Sequence, residues 1–151
     1  MTVTLRLAKR EEVPAIVAML ADDGLGRGRE ALSDLAIYYD AFDEMAQEPN
    51  NRLLVAEQNG ELVGTLQVTF IRGLSRKGAR RAQIEAVRVA SSHRGQGLGR
   101  AIFTAAIALA RQEGCSLVQL TTDKARGDAH RFYAQLGFVA SHEGMKLALD
   151  P

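Results

Sequence analysis

The spacing of apolar and polar positions predicts β-strands along the whole chain. Two of these strands flank Asn59-Gly60, a dipeptide that favours the tight turn of a β-hairpin. Two short runs near the C-terminus predict a final hairpin. The predicted strands are Val3–Ala8, Leu53–Glu57, Glu61–Ile71, Ala82–Ala90, Ser116–Thr122, Phe138–Ser141 and Met145–Leu149.

Apolar residues recur every three to four positions in other stretches, which is the period of an amphipathic helix. Pro14 lies near the first turn of one such stretch, where proline is tolerated, and Pro49 follows the end of another. Gly114 and Gly137 follow the last two stretches and are typical helix stops. The predicted helices are Glu11–Leu20, Arg29–Gln47, Leu98–Glu113 and Gly127–Leu136, with loops at Gly24–Gly28 and Arg72–Arg81.

The order of these elements indicates the fold class. Hairpins fill the first half, and a strand–helix–strand unit, Ala82–Thr122, fills the second. Because the two strands of such a unit run parallel while hairpin strands run antiparallel, we expect an α/β domain of the α+β type on a mixed sheet.

The composition is that of a globular protein without a structural disulfide. The chain has 151 residues, within the range of about 100–200 residues for one domain, so we expect a single domain over residues 1–151. The single cysteine, Cys115, excludes an internal disulfide and a thiolate zinc site. Neither a long apolar segment nor a signal-peptide pattern is present, so we expect a cytoplasmic protein with no membrane partner.

Charge is unevenly distributed although the formal net charge is only +1. Arg72–Arg111 holds nine basic residues and one acid, Glu85, whereas Asp22–Glu48 holds eight carboxylates and two arginines. Solvated faces are the simplest explanation. The basic loop Arg72–Arg81 has no interleaved aromatic residues and no nucleic-acid-binding motif accompanies it, so we expect no nucleic-acid partner.

A glycine-rich turn, Arg94-Gly-Gln-Gly-Leu-Gly-Arg100, connects a predicted strand to a predicted helix. Glycine lets the backbone turn tightly and lets its N–H groups approach a ligand closely. The first turn of the helix adds unpaired N–H groups and the positive end of the helix dipole, which together favour a pyrophosphate. An ordinary glycine-rich turn remains the alternative.

Two common phosphate-binding motifs do not fit this turn. A P-loop requires Lys-Ser/Thr after its last glycine, and Gly99 is followed by Arg100-Ala. The dinucleotide fingerprint requires a glycine three residues after Gly97, where Arg100 stands. The spacing is instead Arg-x-x-Gly-x-Gly, starting at Arg94.

This spacing after a Val-x-Val strand resembles the acyl-CoA signature of the GNAT N-acetyltransferase superfamily. The segment Thr121–Phe138, with Phe132-Tyr-Ala-Gln-Leu-Gly-Phe138 at its end, is similar to the second CoA element of that family. The resemblance covers nearly the whole chain except the region between Asp22 and Asn50. It implies a mixed, mostly antiparallel sheet whose parallel fourth and fifth strands splay apart around acetyl-CoA, with flanking helices.

The resemblance also implies which residues contact acetyl-CoA, the expected cosubstrate. Val87 and Val89 match strand positions that pair with pantetheine, and a backbone amide near them would stabilise the thioester oxyanion. Asp123 stands where the family usually has asparagine, and aspartate keeps the hydrogen-bond acceptor but lacks the amide donor. The implied cofactor-binding residues are Val87, Val89, Arg94, Gly95, Gln96, Gly97, Leu98, Gly99, Arg100, Asp123 and Arg126.

Acetyl transfer to an amine needs a base and benefits from an acid. Glu85 is the lone acid in the basic stretch and lies on the strand before the glycine turn, where the resemblance places a base. The alternative is an ion pair with Arg80, Arg81 or Arg88. Tyr133 matches the tyrosine that protonates the leaving thiolate in the family, and its alternative is a packed ring.

The function expected from these residues is acetyl transfer from acetyl-CoA directly to a primary amine of a small molecule, rather than to a protein lysine or N-terminus. The alternative is a non-catalytic acyl-CoA-binding or regulatory module. The acidic stretch Asp22–Glu48 favours a cationic amine. His93, His130 and His142 show no metal-ligand spacing, so we expect no metal. The family resemblance also favours a homodimer.

Overall fold

The computed structural model describes residues 2–22 and 28–150, which form two compact units. The first unit extends to Gln119 and the second begins at Leu120. Of the predicted loop at 24–28, only Gly28 lies within the described residues.

A five-stranded sheet forms the centre of the first unit, with its strands in sequence order. Neighbouring strands are antiparallel except for the last pair, which is parallel. The predicted mixed, mostly antiparallel sheet is therefore confirmed. The strands are β1 (Thr4–Leu7), β2 (Asn51–Gln58), β3 (Glu61–Arg72), β4 (Arg80–Val89) and β5 (Leu117–Gln119).

Helices flank the sheet, and another lies in the second unit. The prediction is confirmed for the first, fourth and fifth of these helices within one or two residues at the ends that differ. In the described ranges, no helix has both the length and the apolar character needed to cross a membrane. The helices are α1 (Val13–Ala21), α2 (Ala36–Met45), the single turn α3 (Ser75–Gly78), α4 (Leu98–Gln112) and α5 (Gly127–Gln135).

Side chains alternate between the two faces of the sheet, and each face packs against a helix. Val55 packs with Ile16 and Met19 of α1 on one face. On the other face, a Cβ built on Gly64 would lie 2.6 Å from Cδ1 of Ile102 in α4. Because side chains alternate along β2 and β3, burying both faces gives the first unit two layers of core.

The predicted helix Arg29–Gln47 is wrong in its first part, since α2 begins only at Ala36. The residues before it form turns instead. The hydroxyl of Tyr38 accepts a hydrogen bond from the Ala31 N–H at 2.7 Å and donates one to Oε1 of Glu30 at 2.9 Å. These bonds hold the preceding segment against the first turn of the helix, so the helical spacing of its leucines does not extend the helix.

The predicted C-terminal hairpin is also wrong, because the structure assigns no strand to the described residues after α5. An alternating apolar and polar pattern gives a segment the two faces of a strand, but it does not specify the neighbouring strand to which the segment must hydrogen-bond. The apolar side chains of this segment remain exposed, Met145 to 94 %.

The predicted basic loop is shorter than expected. Arg72 ends β3 and Arg80 begins β4, so only the turn between them remains, with Arg76 and Lys77 in the left-handed conformation.

Candidate active site

β4 and β5 separate soon after they pair. Their parallel ladder joins residues 81–83 to residues 117–119, and Gln83 opposite Gln119 is its last pair among the described residues. β4 continues to Val89, so six further residues extend beyond this ladder. The separation removes β5 as the neighbour of this part of β4, on the side where a ligand could lie alongside the strand.

A β-bulge lies on the same part of β4. Gln67 of β3 is opposite Glu85, and Thr65 is opposite Arg88, so β4 has one residue more than β3 between these pairs. Ala86 adopts φ 53°, a left-handed conformation that is uncommon outside glycine. The bulge re-aims the strand immediately after Glu85.

The carboxylate of Glu85 is exposed and lies beside the last pair of the ladder. Its Oε1 accepts a hydrogen bond from Nε2 of Gln83 at 3.1 Å. The alternative partner Arg80 is engaged elsewhere, since its Nη1 lies 3.1 Å from Oε2 of Glu113 and its Nη2 donates to Oδ1 of Asn50. Glu85 therefore has the exposure that a base needs to meet an incoming amine.

The glycine-rich turn opens onto free space. Gly95 and Gly97 have φ values of +76° and +80°, which side chains with a Cβ rarely adopt. A Cβ built on either glycine would meet no atom within 4 Å. The N–H groups at the start of α4 have no intrahelical acceptor, as at every helix N-terminus, so this turn can bind an anion.

The side chain of Arg94 joins the glycine turn to neighbouring elements through hydrogen bonds. Its Nη2 donates to the carbonyl of Asp22 at 2.7 Å, and its Nε donates to the carbonyl of Val89 at 3.3 Å. The side chain of Arg94 thus connects the end of α1, the end of β4 and the glycine turn. Its backbone amide stays a candidate ligand for the pyrophosphate.

The other predicted cofactor residues of the first unit fall into two groups. The side chain of Leu98 is buried in the core, so only its amide is available, whereas Gln96 and Arg100 are exposed beside the turn. Val87 and Val89 lie in β4 beyond the bulge, with Val89 opposite Gly64.

The second unit contains the remaining predicted site residues. Oδ1 of Asp123 accepts a hydrogen bond from the Ala125 N–H at 2.9 Å, and the carbonyl of Asp123 accepts one from the backbone N–H of Arg126. This local turn leads into α5. The ring of Tyr133 makes edge-to-face contacts with Phe132 and Phe138, at centroid distances of 5.4 and 5.9 Å.

Two glutamines beside Glu85 were missed by sequence reasoning. Nε2 of Gln119 donates to Oε1 of Gln83 at 2.9 Å, and Gln83 in turn donates to Glu85. These glutamines lie 36 residues apart in the sequence, and only the register of β4 and β5 brings them together. No local signal in the sequence indicates this contact.

Other reactive groups contribute little to the site. Burial raises the pKa of the Cys115 thiol, which disfavours its reactive thiolate form. The described part of the chain contains no group of three or more His, Cys, Asp or Glu side chains placed to hold a metal ion.

Comparison with known proteins identifies the family. Residues 17–138 match the model of the Acetyltransferase (GNAT) family. The chain belongs to this family. The predicted family, its α/β fold with parallel β4 and β5, and the assignment to the acetyltransferases are thereby confirmed.

Individual relatives of this GNAT protein carry different descriptions. Aminoalkylphosphonate N-acetyltransferase of Salmonella typhimurium is 33 % identical over 109 residues, which are 72 % of this chain and 70 % of the relative. A crystal structure described as a transcriptional regulator from Bacillus halodurans has 50 % identity and a TM-score of 0.91, covering 97 % of this chain and 99 % of the other. A putative acetyltransferase from Agrobacterium tumefaciens has 26 % identity and a TM-score of 0.84, covering 96 % and 99 %.

Proposed function

We propose that this GNAT protein transfers an acetyl group from acetyl-CoA directly to a primary amine of a small molecule. The observation that carries the proposal is the position of Glu85, exposed and immediately before the bulge where β4 has left β5. A carboxylate there can accept a proton from an amine that approaches a thioester held along β4.

Two neighbouring parts of the first unit would bind acetyl-CoA in this proposal. The amides of Arg94–Arg100 would bind the pyrophosphate, and the open space in front of Gly97 would admit it. Val87 and Val89 would pair with pantetheine along the edge of β4 that β5 leaves, where their carbonyls also accept hydrogen bonds from Nη1 of Arg88 at 3.0 Å and Nε of Arg94 at 3.3 Å. Asp123 and Arg126 are the remaining residues proposed to contact the cosubstrate.

The reaction forms an N–C bond and breaks a C–S bond, and it requires two proton movements. A lysine-like amine has a pKa of about 10.4, so only about one molecule in 2,500 is neutral at pH 7. Glu85 would take the proton of the ammonium group, directly or through water. Tyr133 would donate a proton to the departing thiolate, whose basicity is comparable to that of cysteine, with a pKa of about 8.5.

The negative charge of α2 favours a small, positively charged amine as the acceptor. Asp40 and Glu44 of α2 are exposed, and Asp43 forms an ion pair with Arg10 at 3.0 Å. This acidic surface would attract a cation. The names of two relatives support a small acceptor, since one acts on aminoalkylphosphonates and the other, from Trypanosoma brucei, on glucosamine 6-phosphate.

The decisive experiment measures thiol release from acetyl-CoA against a broad panel of primary amines. We expect one class of small amine to support turnover, and Glu85→Gln to lower kcat by about 10²-fold with little change in the KM for acetyl-CoA. Glu11→Gln removes another exposed carboxylate and serves as the matched control, with wild-type kinetics expected. Equal activity of the two variants would refute the role of Glu85.

A non-catalytic acyl-CoA-binding or regulatory module is the second candidate function. It is favoured by the description of the 50 % identical neighbour as a transcriptional regulator. Binding of acetyl-CoA without thiol release for any amine in the panel would support this candidate over the enzyme.

We also propose a single domain over residues 1–151, a homodimer and a cytoplasmic location. Sedimentation at several protein concentrations tests the dimer. A duplex-binding assay tests the expectation that nucleic acid is not a partner.

A further inference from the structure

The face of the sheet that carries Glu85 also carries two hydrogen-bonded glutamines, Gln83 and Gln119, here called the amide pair. We propose that the amide pair positions the carboxylate of Glu85 for proton transfer. Neither glutamine need touch either substrate in this role. The inference rests on the proposed function, in which Glu85 is the base.

The hydrogen bonds of the amide pair have a fixed direction. Nε2 of Gln119 donates to Oε1 of Gln83 at 2.9 Å, so the other end of the Gln83 amide, Nε2, points to Oε1 of Glu85 at 3.1 Å. If the Gln83 amide were turned over, its oxygen would face the carboxylate and its NH₂ group would face the NH₂ group of Gln119. Because a carboxylate oxygen accepts, Glu85 and the donor of Gln119 favour the same orientation of the Gln83 amide.

The backbone holds both glutamines in place. Gln83 and Gln119 face each other in the last pair of the β4–β5 ladder, and both side chains are half-buried. Gln83 and Glu85 are two residues apart on one strand, so their side chains lie on the same face. The amide pair thus spans the two strands at the point where they separate.

An exposed glutamate needs such support to act as a base. A free glutamate side chain occupies several rotamers, and only some of them direct the carboxylate to one position. A hydrogen bond to an ionised carboxylate is stronger than one between neutral groups, so the Gln83 amide favours a single orientation. Holding the base in the reactive geometry raises kcat rather than substrate affinity.

The test compares Gln83→Leu and Gln119→Leu, each made in the wild type and in the Glu85→Gln variant. In the wild type we expect Gln83→Leu to lower kcat about tenfold, with the KM for acetyl-CoA unchanged. Gln119→Leu should lower kcat about threefold, because the donor to Glu85 remains but the Gln83 amide loses its second hydrogen bond. In the Glu85→Gln variant neither change should alter kcat further, since both act through the carboxylate.

Gln67→Leu is the matched control. Gln67 lies on the same face of the sheet, opposite Glu85 in the register, but its Nε2 donates to Oδ1 of Asn51 at 2.7 Å. We expect this variant to keep the wild-type kcat. Thermal melting of all variants checks that the compared proteins are folded.

The outcomes separate the positioning role from the proposed function. Wild-type kcat in Gln83→Leu, with Glu85→Gln impaired, would overturn the positioning role alone. A tenfold loss that persists when Gln83→Leu is added to Glu85→Gln would also overturn it, because Gln83 would then act on something other than Glu85. Full activity of Glu85→Gln would refute the base itself, and the positioning role with it.

Discussion

Replacing Gly97 by alanine tests the proposed acetyl-CoA site against a control at the other end of the same helix. Gly97 precedes α4 with φ +80°, and Gly114 follows α4 with φ +76°. A Cβ added at either position would have no atom within 4 Å, so the new methyl group meets no steric clash at either end. The two substitutions therefore cause the same backbone strain in different surroundings.

The magnitude follows from this geometry. An alanine in the left-handed conformation costs about 1–2 kcal/mol, so both variants should lose about that much in the free energy of unfolding. For a chain of this size each kcal/mol lowers Tm by about 2–4 °C. Any further difference between the variants must come from the ligand.

Acetyl-CoA should distinguish them. At one hundred times its Kd, a ligand stabilises the folded state by about 2.7 kcal/mol. The methyl group of Gly97→Ala projects into the space proposed for the pyrophosphate, and we expect at least a tenfold increase in Kd, which reduces this stabilisation to about 1.4 kcal/mol or less. Gly114→Ala should keep the full stabilisation of about 2.7 kcal/mol.

Urea unfolding of the wild type and both variants, with and without acetyl-CoA, measures each quantity. The reasoning is refuted if acetyl-CoA stabilises Gly97→Ala as much as Gly114→Ala. It is also refuted if acetyl-CoA does not stabilise the wild type.

Three further predictions concern stability and the second unit. Arg6 donates hydrogen bonds to Glu12 at 2.6 and 2.8 Å and holds the pKa of that carboxyl at about 2, below its ordinary value of 4.5. The resulting stability, at most about 3 kcal/mol, is complete above pH 4.5 and is lost as the pH falls towards 2, so acid unfolding of Glu12→Gln should show less pH dependence over that interval. Gly64→Ala should destabilise the protein by about 1–3 kcal/mol in thermal melting, because the new Cβ would lie 2.6 Å from Cδ1 of Ile102 and 2.8 Å from the carbonyl oxygen of Arg88, and wild-type stability would show that both neighbours can move aside. Tyr133→Phe should lower kcat about tenfold with acetyl-CoA but less with a thioester whose thiolate is less basic, and equal losses would argue against an acid.

Local signals predicted much of the fold. Asn59 and Gly60 adopt the positive φ values, 53° and 77°, that their hairpin turn requires. In α4 the apolar positions Leu98, Ile102 and Ala106 are all buried, as the helical period predicted. The turn residues and the apolar spacing that determine these elements lie within a few residues of one another, so they can be identified from the sequence alone.

The sequence predictions were wrong or incomplete where the structure depends on a contact that the spacing of apolar and polar residues does not specify. The early start predicted for α2 fails because one hydroxyl, that of Tyr38, binds Ala31 and Glu30. The predicted C-terminal strands fail because an alternating segment does not specify its neighbour. At the site, the isolation of Glu85 in a basic stretch made it a candidate, whereas the contact of Gln83 with Gln119 depends on strand register and could not be predicted.

The bulge at Ala86 shifts the alternation of side chains along β4 by one residue. Before it, the odd-numbered residue Glu85 is opposite Gln67, and after it the even-numbered Arg88 is opposite Thr65 on the same face of β3. Deleting one residue here would leave a single β4 residue opposite Leu66 and remove the bulge, so Arg88 would stay opposite Thr65 while the strand would lose its local bend. Chimaeras and library designs that join β4 segments from different relatives must therefore conserve the number of residues between Glu85 and Arg88, since a change of length there would re-aim the strand that leads to the glycine turn.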